Sequence, residues 1–256
     1  MPAATVTSNA KIILLDIEGT TTSISFVKDE LFPYVLRNLK HHLDNHWNEP
    51  EMMADIDALR EQAERDRTDG ILSAPPILST ESVQSEIIQS VISNVEWQMS
   101  SDRKTTALKQ LQGHMWVDAY EKKEIEAHLF EDVASCMKTW KKLGKSICIY
   151  SSGSVAAQKL LFKYSVKGDL TELISQNFDT RVGGKKETKS YSTIAEQLGV
   201  MPNEIIFLTD IVEEARAAKA AGMQTTIMVR PGNGPLTVQQ LEEYETMTDF
   251  HQLKFE

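Results

Sequence analysis

Four consecutive apolar residues, Ile12–Leu15, run directly into Asp16, and a second acid, Glu18, follows two residues later. An unbroken apolar run of that length suits a strand buried on both faces, the condition of a parallel sheet covered on each side. Gly19 then lets the backbone turn sharply, and Thr20, Thr21 and Thr22 supply hydroxyls. In open parallel sheets the carboxyl ends of the strands point into the ligand crevice. A strand that ends in acid therefore predicts a site, although Asp16 read in isolation is equally well the cap of a turn.

The rest of the sheet announces itself only after a long interruption. Ser146–Tyr150, Ile205–Leu208 and Thr225–Val229 read as further strands, with Phe178 opening a minor one. Helical patterns at Asp132–Leu143, Val155–Tyr164, Thr188–Leu198 and Val212–Ala221 alternate with them, three of the four followed by glycine, a frequent residue just past a helix end. Strand and helix alternating at these spacings predict a doubly wound parallel sheet. Between Phe26 and Glu124 no strand pattern occurs. Amphipathic helices are predicted there over Ser25–Trp47, Met52–Arg65, Glu86–Met99 and Lys104–Tyr120, with a loop at Thr68–Ser82. Pro33 is expected to kink or restart the first of them. The predicted layout is a split α/β core, residues 10–24 and 125–256, with a helical cap of residues 25–124 inserted after the first strand.

The chain has 256 residues, enough for one large domain or a domain with a substantial insertion. Its net charge of -10 argues against a nucleic-acid partner and requires an anionic substrate to be met by a few well-placed cations. Cys136 and Cys148 lie in a predicted helix and an apolar run, so buried free thiols are expected rather than a disulfide framework or a zinc site. Met1–Ala10 shows neither the basic region nor the apolar core of a signal peptide. No apolar stretch approaches membrane-spanning length, and a soluble protein of a reducing compartment is the expectation.

Polar groups of distinct kinds stand at three predicted strand ends: Asp16 with Glu18, Ser151 with Ser152, and Asp210. A loop lysine, Lys185 in Gly183-Gly184-Lys185-Lys186, lies between the second and third. If the strands are neighbours, these groups converge. Acids from separate strand ends can hold a hard cation such as Mg²⁺, hydroxyls and amides at a helix N-terminus bind phosphate oxygens, and a lysine neutralises charge on a phosphoryl group. A carboxylate can attack phosphorus, and a second one can protonate the leaving oxygen and then activate water. Each group also has a plainer reading. Asp210 alone is a strand-end turn residue, a lysine pair in a glycine loop is usually solvated, and Ser151 and Ser152 would serve as a helix N-cap pair.

Asp16-Ile-Glu18-Gly-Thr20 resembles the first motif of haloacid-dehalogenase-type phosphatases, Asp-x-Asp-x-Thr/Val. The apolar strand into Ser151-Ser152-Gly153 resembles their second motif, Lys185 fits the third and Leu208-Thr209-Asp210 the fourth. Glu18 stands where the general motif has a second Asp. That departure, with Trp97-Gln-Met-Ser, the stretch from Asp102 to Trp116, Tyr150-Ser-Ser-Gly-Ser-Val and Arg230-Pro-Gly-Asn, is similar to the enolase-phosphatase branch of the superfamily. The resemblance runs over nearly the whole chain. It implies a haloacid-dehalogenase-like (Rossmannoid) core with a helical cap, and an Mg²⁺-dependent enzyme, one ion per subunit. The implied reaction belongs to methionine salvage: 2,3-diketo-5-methylthiopentyl 1-phosphate is enolised, then dephosphorylated through an aspartyl-phosphate to the acireductone 1,2-dihydroxy-3-keto-5-methylthiopentene. Another small-metabolite phosphatase of the same fold would share the core motifs and differ in the cap.

Carried over by position, Asp16 is the nucleophile and an Mg²⁺ ligand. Glu18 takes the acid/base position and belongs to the metal site, by side chain or by backbone carbonyl. Ser151 and Ser152 bind the substrate phosphate, Lys185 binds substrate and shields its charge, and Asp210 completes the metal site. Glu214 stands as a possible outer group only. The resemblance also implies a monomer of the cytoplasm and, in eukaryotes, the nucleus. In the cap, Arg103, Lys104, Gln112 and His114 are the polar residues of interest, and Trp97, Met99, Met115 and Trp116 are candidates for an apolar pocket wall, with core packing the simpler role for each.

Overall fold

The computed structural model describes residues 5–256, so the part of the leader reading that falls on residues 1–4 lies outside it. In chain order its elements are strands β1 (Val6–Ser8) and β2 (Ile12–Leu15), a π-helical stretch at Phe26–Leu31, and helices α1 (Phe32–His46), α2 (Pro50–Thr68), α3 (Gln84–Ser100), α4 (Thr106–Glu121) and α5 (Glu131–Lys142). Then follow β3 (Ser146–Tyr150), α6 (Val155–Lys163), β4 (Gln176–Phe178), α7 (Thr188–Leu198), β5 (Ile205–Thr209), α8 (Val212–Ala220), β6 (Gln224–Met228), α9 (Val238–Glu243), β7 (Thr246–Met247) and β8 (Leu253–Phe255). The chain divides into two compact units, one reaching to Asp29 and resuming with Glu126–Glu256, the other Glu30–Ile125.

The first unit is built on a six-stranded parallel sheet in the order β4-β3-β2-β5-β6-β7. The apolar run of β2 is at its centre, every residue buried, with Leu15 level with Ile149 of β3 on one side and Leu208 of β5 on the other. From β2 the chain works outward to β3 and β4, then returns to lay down β5, β6 and β7 on the opposite flank. The reversal falls between β2 and β5, and at such a switch point an open α/β sheet leaves its crevice. One face of the sheet packs Leu14, Cys148, Tyr150 and Phe207 against Tyr191, Ile194 and Ala218 of α7 and α8.

The short strands are where sequence and structure part. The minor strand ends at Phe178 rather than starting there, because Gln176 and Asn177 already pair with β3. β1 pairs in parallel with β8 in a separate two-stranded ribbon, and β7 extends the main sheet beyond β6. Two or three residues are too few to show an alternation of polar and apolar side chains.

The second unit is helical throughout its regular elements. Pro33 sits in the first turn of α1, where its missing N–H costs nothing, so the π-helical stretch ends and α1 restarts there. Thr105 caps α4, its hydroxyl accepting from Leu108 N–H at 3.3 Å. The loop between α2 and α3 is tied down by Asn94, which donates to the Pro75 carbonyl at 2.7 Å. Gln98 and Thr105 continue that buried chain of hydrogen bonds.

Candidate active site

Asp16 is the residue after β2, and its N–H donates to the Leu208 carbonyl of β5 at 2.9 Å, so the strand ladder continues into it. The residue is only 4% exposed, with Oδ1 accepting from the Ile17 N–H at 2.7 Å. Lys185 reaches the same oxygen, its Nζ 2.6 Å from Asp16 Oδ1 and 2.7 Å from Glu214 Oε2. The hydroxyl of Thr209, the last residue of β5, donates to Glu214 Oε2 at 2.9 Å and lies 3.4 Å from Asp16 Oδ2. Lys185 is thus buried between two carboxylates that arrive from the sheet and from α8. Burial alone would lower its pKa, and the attraction of Asp16 and Glu214 overcomes that and raises it.

Asp210 follows β5 and lies over Gly19. A Cβ at Gly19 would stand 2.5 Å from Asp210 Cγ, closer still to Oδ2, and 3.0 Å from Asn233 Oδ1. Gly19 also has φ +70°, in the left-handed region. Both facts require glycine: the turn must curl left and the carboxylate must sit against its backbone. Asn233 holds that turn, donating through Nδ2 to the Gly19 carbonyl at 2.9 Å and to the Met228 carbonyl at 3.0 Å, while its buried Oδ1 has no partner.

Asp16, Asp210 and Glu214 together outweigh the one lysine. Desolvation, and then the charge of Asp16, push Asp210 and Glu214 up to about 7, with Glu214 also raising Asp210. The donors are hard oxygens with two negative charges in excess of Lys185 when all are ionised, which fits a divalent cation such as Mg²⁺. Glu214 was the group least expected here: the sequence reading gave it an outer place at most, yet it is 7% exposed and shares the lysine with Asp16. The available signal was its spacing, four residues past Asp210, which puts it on the first turn of the helix that leaves the same strand end.

Glu18 lies on the turn after Asp16, exposed, in an isolated backbone bridge with Thr22. Ser151 continues β3, its N–H donating to the Phe178 carbonyl at 3.2 Å and its hydroxyl accepting from Gly153 N–H at 3.3 Å. Neither Ser151 nor Ser152 caps the following helix. The N-cap of α6 is Ser154, whose hydroxyl accepts from Ala157 N–H at 3.2 Å. The two serines therefore stand before the helix start, half-exposed, at a strand end beside that of Asp16.

A buried pair missed by sequence reasoning supports the Asp16 turn from beneath. Arg230 clasps Asp132 in two hydrogen bonds of 2.9 and 2.8 Å, donates from Nε to the Thr20 carbonyl at 3.1 Å, and is sandwiched between the rings of Phe130 and Phe250. Three of the polar residues singled out in the helical unit have partners within it. His114 Nδ1 is 2.6 Å from the buried Asp55, Arg103 pairs with Asp66 at 2.5 Å, Lys104 lies 3.5 Å from Asp102, and Gln112 is buried. Met115 and Trp116 are core residues, the indole donating to the Leu31 carbonyl at 3.0 Å.

A parallel sheet whose central strand ends in an aspartate, paired to a buried lysine and flanked by a second strand-end acid, defines the haloacid dehalogenase-like hydrolases, and the model of that family matches residues 10–222. The chain belongs to this family and, within it, to the enolase-phosphatase E1 group. It is 51% identical over 245 residues to enolase-phosphatase E1 of Xenopus tropicalis, covering 95% of this chain and 94% of that protein. To the protein of the same name from Danio rerio it is 48% identical over 256 residues, with 99% and 98% covered. The crystal structure of the UTR4 protein of Saccharomyces cerevisiae superposes with a TM-score of 0.76 at 30% identity, over 94% of this chain and 98% of that one.

Proposed function

We propose that this cluster performs both steps named by the relatives, enolisation and then phosphate release, on the diketo phosphate ester of methionine salvage. The observation that carries the reading is the shared lysine: Asp16 is paired with and aimed by Lys185, 2.6 Å away, at the mouth of the switch-point crevice. In the phosphatase step the Asp16 carboxylate attacks phosphorus and the bond to the leaving oxygen breaks. Glu18, on the exposed side of the turn, gives that oxygen its proton, and the aspartyl-phosphate is then opened by water that Glu18 deprotonates. Lys185 offsets the charge on the phosphoryl group, and Ser151 and Ser152 hold its oxygens.

Asp16, Asp210 and the Glu18 position would hold Mg²⁺, with Glu214 next to them. The ion supplies charge neutralisation at the phosphoryl oxygens and at the developing enolate. Glu18 is the economical base for enolisation, since its longer side chain extends beyond the reach of the usual Asp. A monomer of the cytoplasm, and of the nucleus in a eukaryote, goes with this reading on the strength of the family resemblance.

The deciding experiment supplies the diketo phosphate and follows the enol by absorbance and phosphate by release. D16N is expected to abolish phosphate release; if activity survives, the assignment fails. E18Q is expected to stop enolisation, and wild-type enolisation with failed phosphate release would remove Glu18 as the base. Turnover of simple phosphate esters without any enol would favour a phosphatase for another small metabolite.

A further inference from the structure

In the helical unit three metal-ligating side chains converge. His42 and His46 lie one turn apart on α1, so their rings share a face, with centroids 4.6 Å apart. Asp118 faces them from α4: its Oδ2 is 3.4 Å from His42 Nδ1 and 3.1 Å from His46 Nε2. One ligand atom from each residue falls within 4.8 Å of the others. A tetrahedral ion with metal–nitrogen bonds of about 2.0–2.1 Å places neighbouring ligand atoms roughly 3.3 Å apart. The two separations to Asp118 Oδ2 are close to that value.

The contacts around the two rings leave a place that a cation would fill. The other nitrogen of His46, Nδ1, is 2.9 Å from Glu49 Oε2. A neutral imidazole has one N–H, and a carboxylate at that distance takes it. The lone pair of Nε2 then points at an oxygen of Asp118, lone pair against lone pair. A proton on Nε2 would fill that place for His46 alone, whereas a metal ion would also engage His42 and Asp118. Lys122 reaches the same Asp118 oxygen at 3.5 Å from an exposed position, where such a pair contributes little. A single metal ion would satisfy both imidazoles and the carboxylate at once, with Glu49 orienting His46 from behind, as carboxylates do for metal-bound histidines.

We propose that His42, His46 and Asp118 form a second metal site, selective for a divalent transition ion of the Zn²⁺ or Co²⁺ class, that clips α1 to α4. Two nitrogens and one carboxylate distinguish it from the all-oxygen cluster around Asp16, which suits Mg²⁺. The side chains of His42, His46 and Asp118 are 10%, 24% and 26% exposed, so the ligands are held in place and a fourth position remains open to water.

The test uses full-length protein without a polyhistidine tag, stripped with chelator and then titrated with Co²⁺ in the presence of excess Mg²⁺. The expected result is one equivalent of Co²⁺ with the visible ligand-field bands of tetrahedral nitrogen and oxygen coordination, displaced by Zn²⁺. H42Q and H46Q should each lose those bands and at least tenfold in affinity while far-UV circular dichroism stays unchanged. E49Q, which keeps all three ligands, should weaken binding by about 10–100-fold. D118N, at a partly exposed position, serves if either histidine variant fails to fold. D16N should bind Co²⁺ as the parent does. Absence of the bands in the parent, equal uptake by H46Q, or loss of uptake in D16N would each overturn the proposal.

Discussion

Replacing Gly19 by alanine tests whether the position of Asp210 limits the reaction. At φ +70° an L-residue pays about 1–2 kcal/mol for the left-handed backbone, which lowers Tm by a few degrees in a chain of this size. The methyl adds a second, local effect. It would stand 2.5 Å from Asp210 Cγ, whereas carbons in contact rest about 3.5–4.0 Å apart, so the carboxylate must withdraw by about 1 Å. A misplacement of about 1 Å in a reacting geometry costs on the order of 100-fold in rate. G19A should therefore show phosphate release reduced on that order, with weakened Mg²⁺ dependence, in a protein that still folds. The control is G199A. Gly199 has φ +68° at the end of α7, with no heavy atom within 4 Å of a built Cβ, so it bears the same backbone strain without the collision. G199A should lose stability and keep its kcat. Activity of G19A within a few-fold of the parent, or an equal loss in G199A, would refute the link between the Gly19–Asp210 contact and catalysis.

Other outcomes follow from the same geometry. K185M should lower kcat by about 100–1,000-fold, the usual loss when a preorganised charge is removed, and K185R should not restore it, because a planar guanidinium cannot occupy the point between Asp16 and Glu214; steady-state kinetics reads both. D132A strands the buried Arg230, whose guanidinium is bound to Asp132 through two nitrogens, and should cost about 3–5 kcal/mol in urea unfolding. The pH dependence has a definite sign. Asp210 and Glu214 are pushed up to about 7, so below that pH they hold protons that Mg²⁺ must displace. Apparent Mg²⁺ affinity should fall as pH drops through about 7, and calorimetry in buffers of different ionisation heat should show proton release on binding at about pH 6 and little at about pH 8. Without metal, the contribution of these two groups to stability is fully present below the ordinary carboxyl range and is lost as pH rises from there through about 7; thermal melts in chelator check it.

The long apolar strands and amphipathic helices were legible in the sequence because each is long enough to show a period. Ile12–Leu15 and Ser146–Tyr150 were placed to the residue, whereas β1, β7 and β8 escaped notice because two or three residues carry no period. Asp16 and Asp210 were legible because each directly follows a readable strand. Glu214 was read only as an outer group and Arg230 only as part of a resembling motif, because what matters about them is where a helix face and a distant turn come to rest. The same holds for His42, His46 and Asp118. The first two announce a shared helix face, but only the packing of α4 on α1 brings the third ligand to them.

The choice between Lys185 and Lys186 shows most clearly what the fold adds. Adjacent lysines in a glycine loop are chemically equal, and nothing local decides which one enters the site. The decision is made by hydroxyls on other elements. Tyr150 donates to the Gly183 carbonyl at 2.9 Å, Ser190 to that of Gly184 at 2.8 Å and Tyr191 to that of Lys185 at 2.6 Å. Three successive carbonyls of a loop with no strand or helix ladder of its own are thus bound by three side chains. A slip of one residue would unmake all three bonds at once, each leaving a buried donor without a partner. A Cβ at Gly183 would collide with the Ser190 hydroxyl, so the glycine is what allows the loop this close. Lys185 is therefore buried against Asp16 and Lys186 is exposed. The same tyrosine rings pack beneath β2 and β5, so the core that fixes the aspartate also fixes the register of the lysine that meets it.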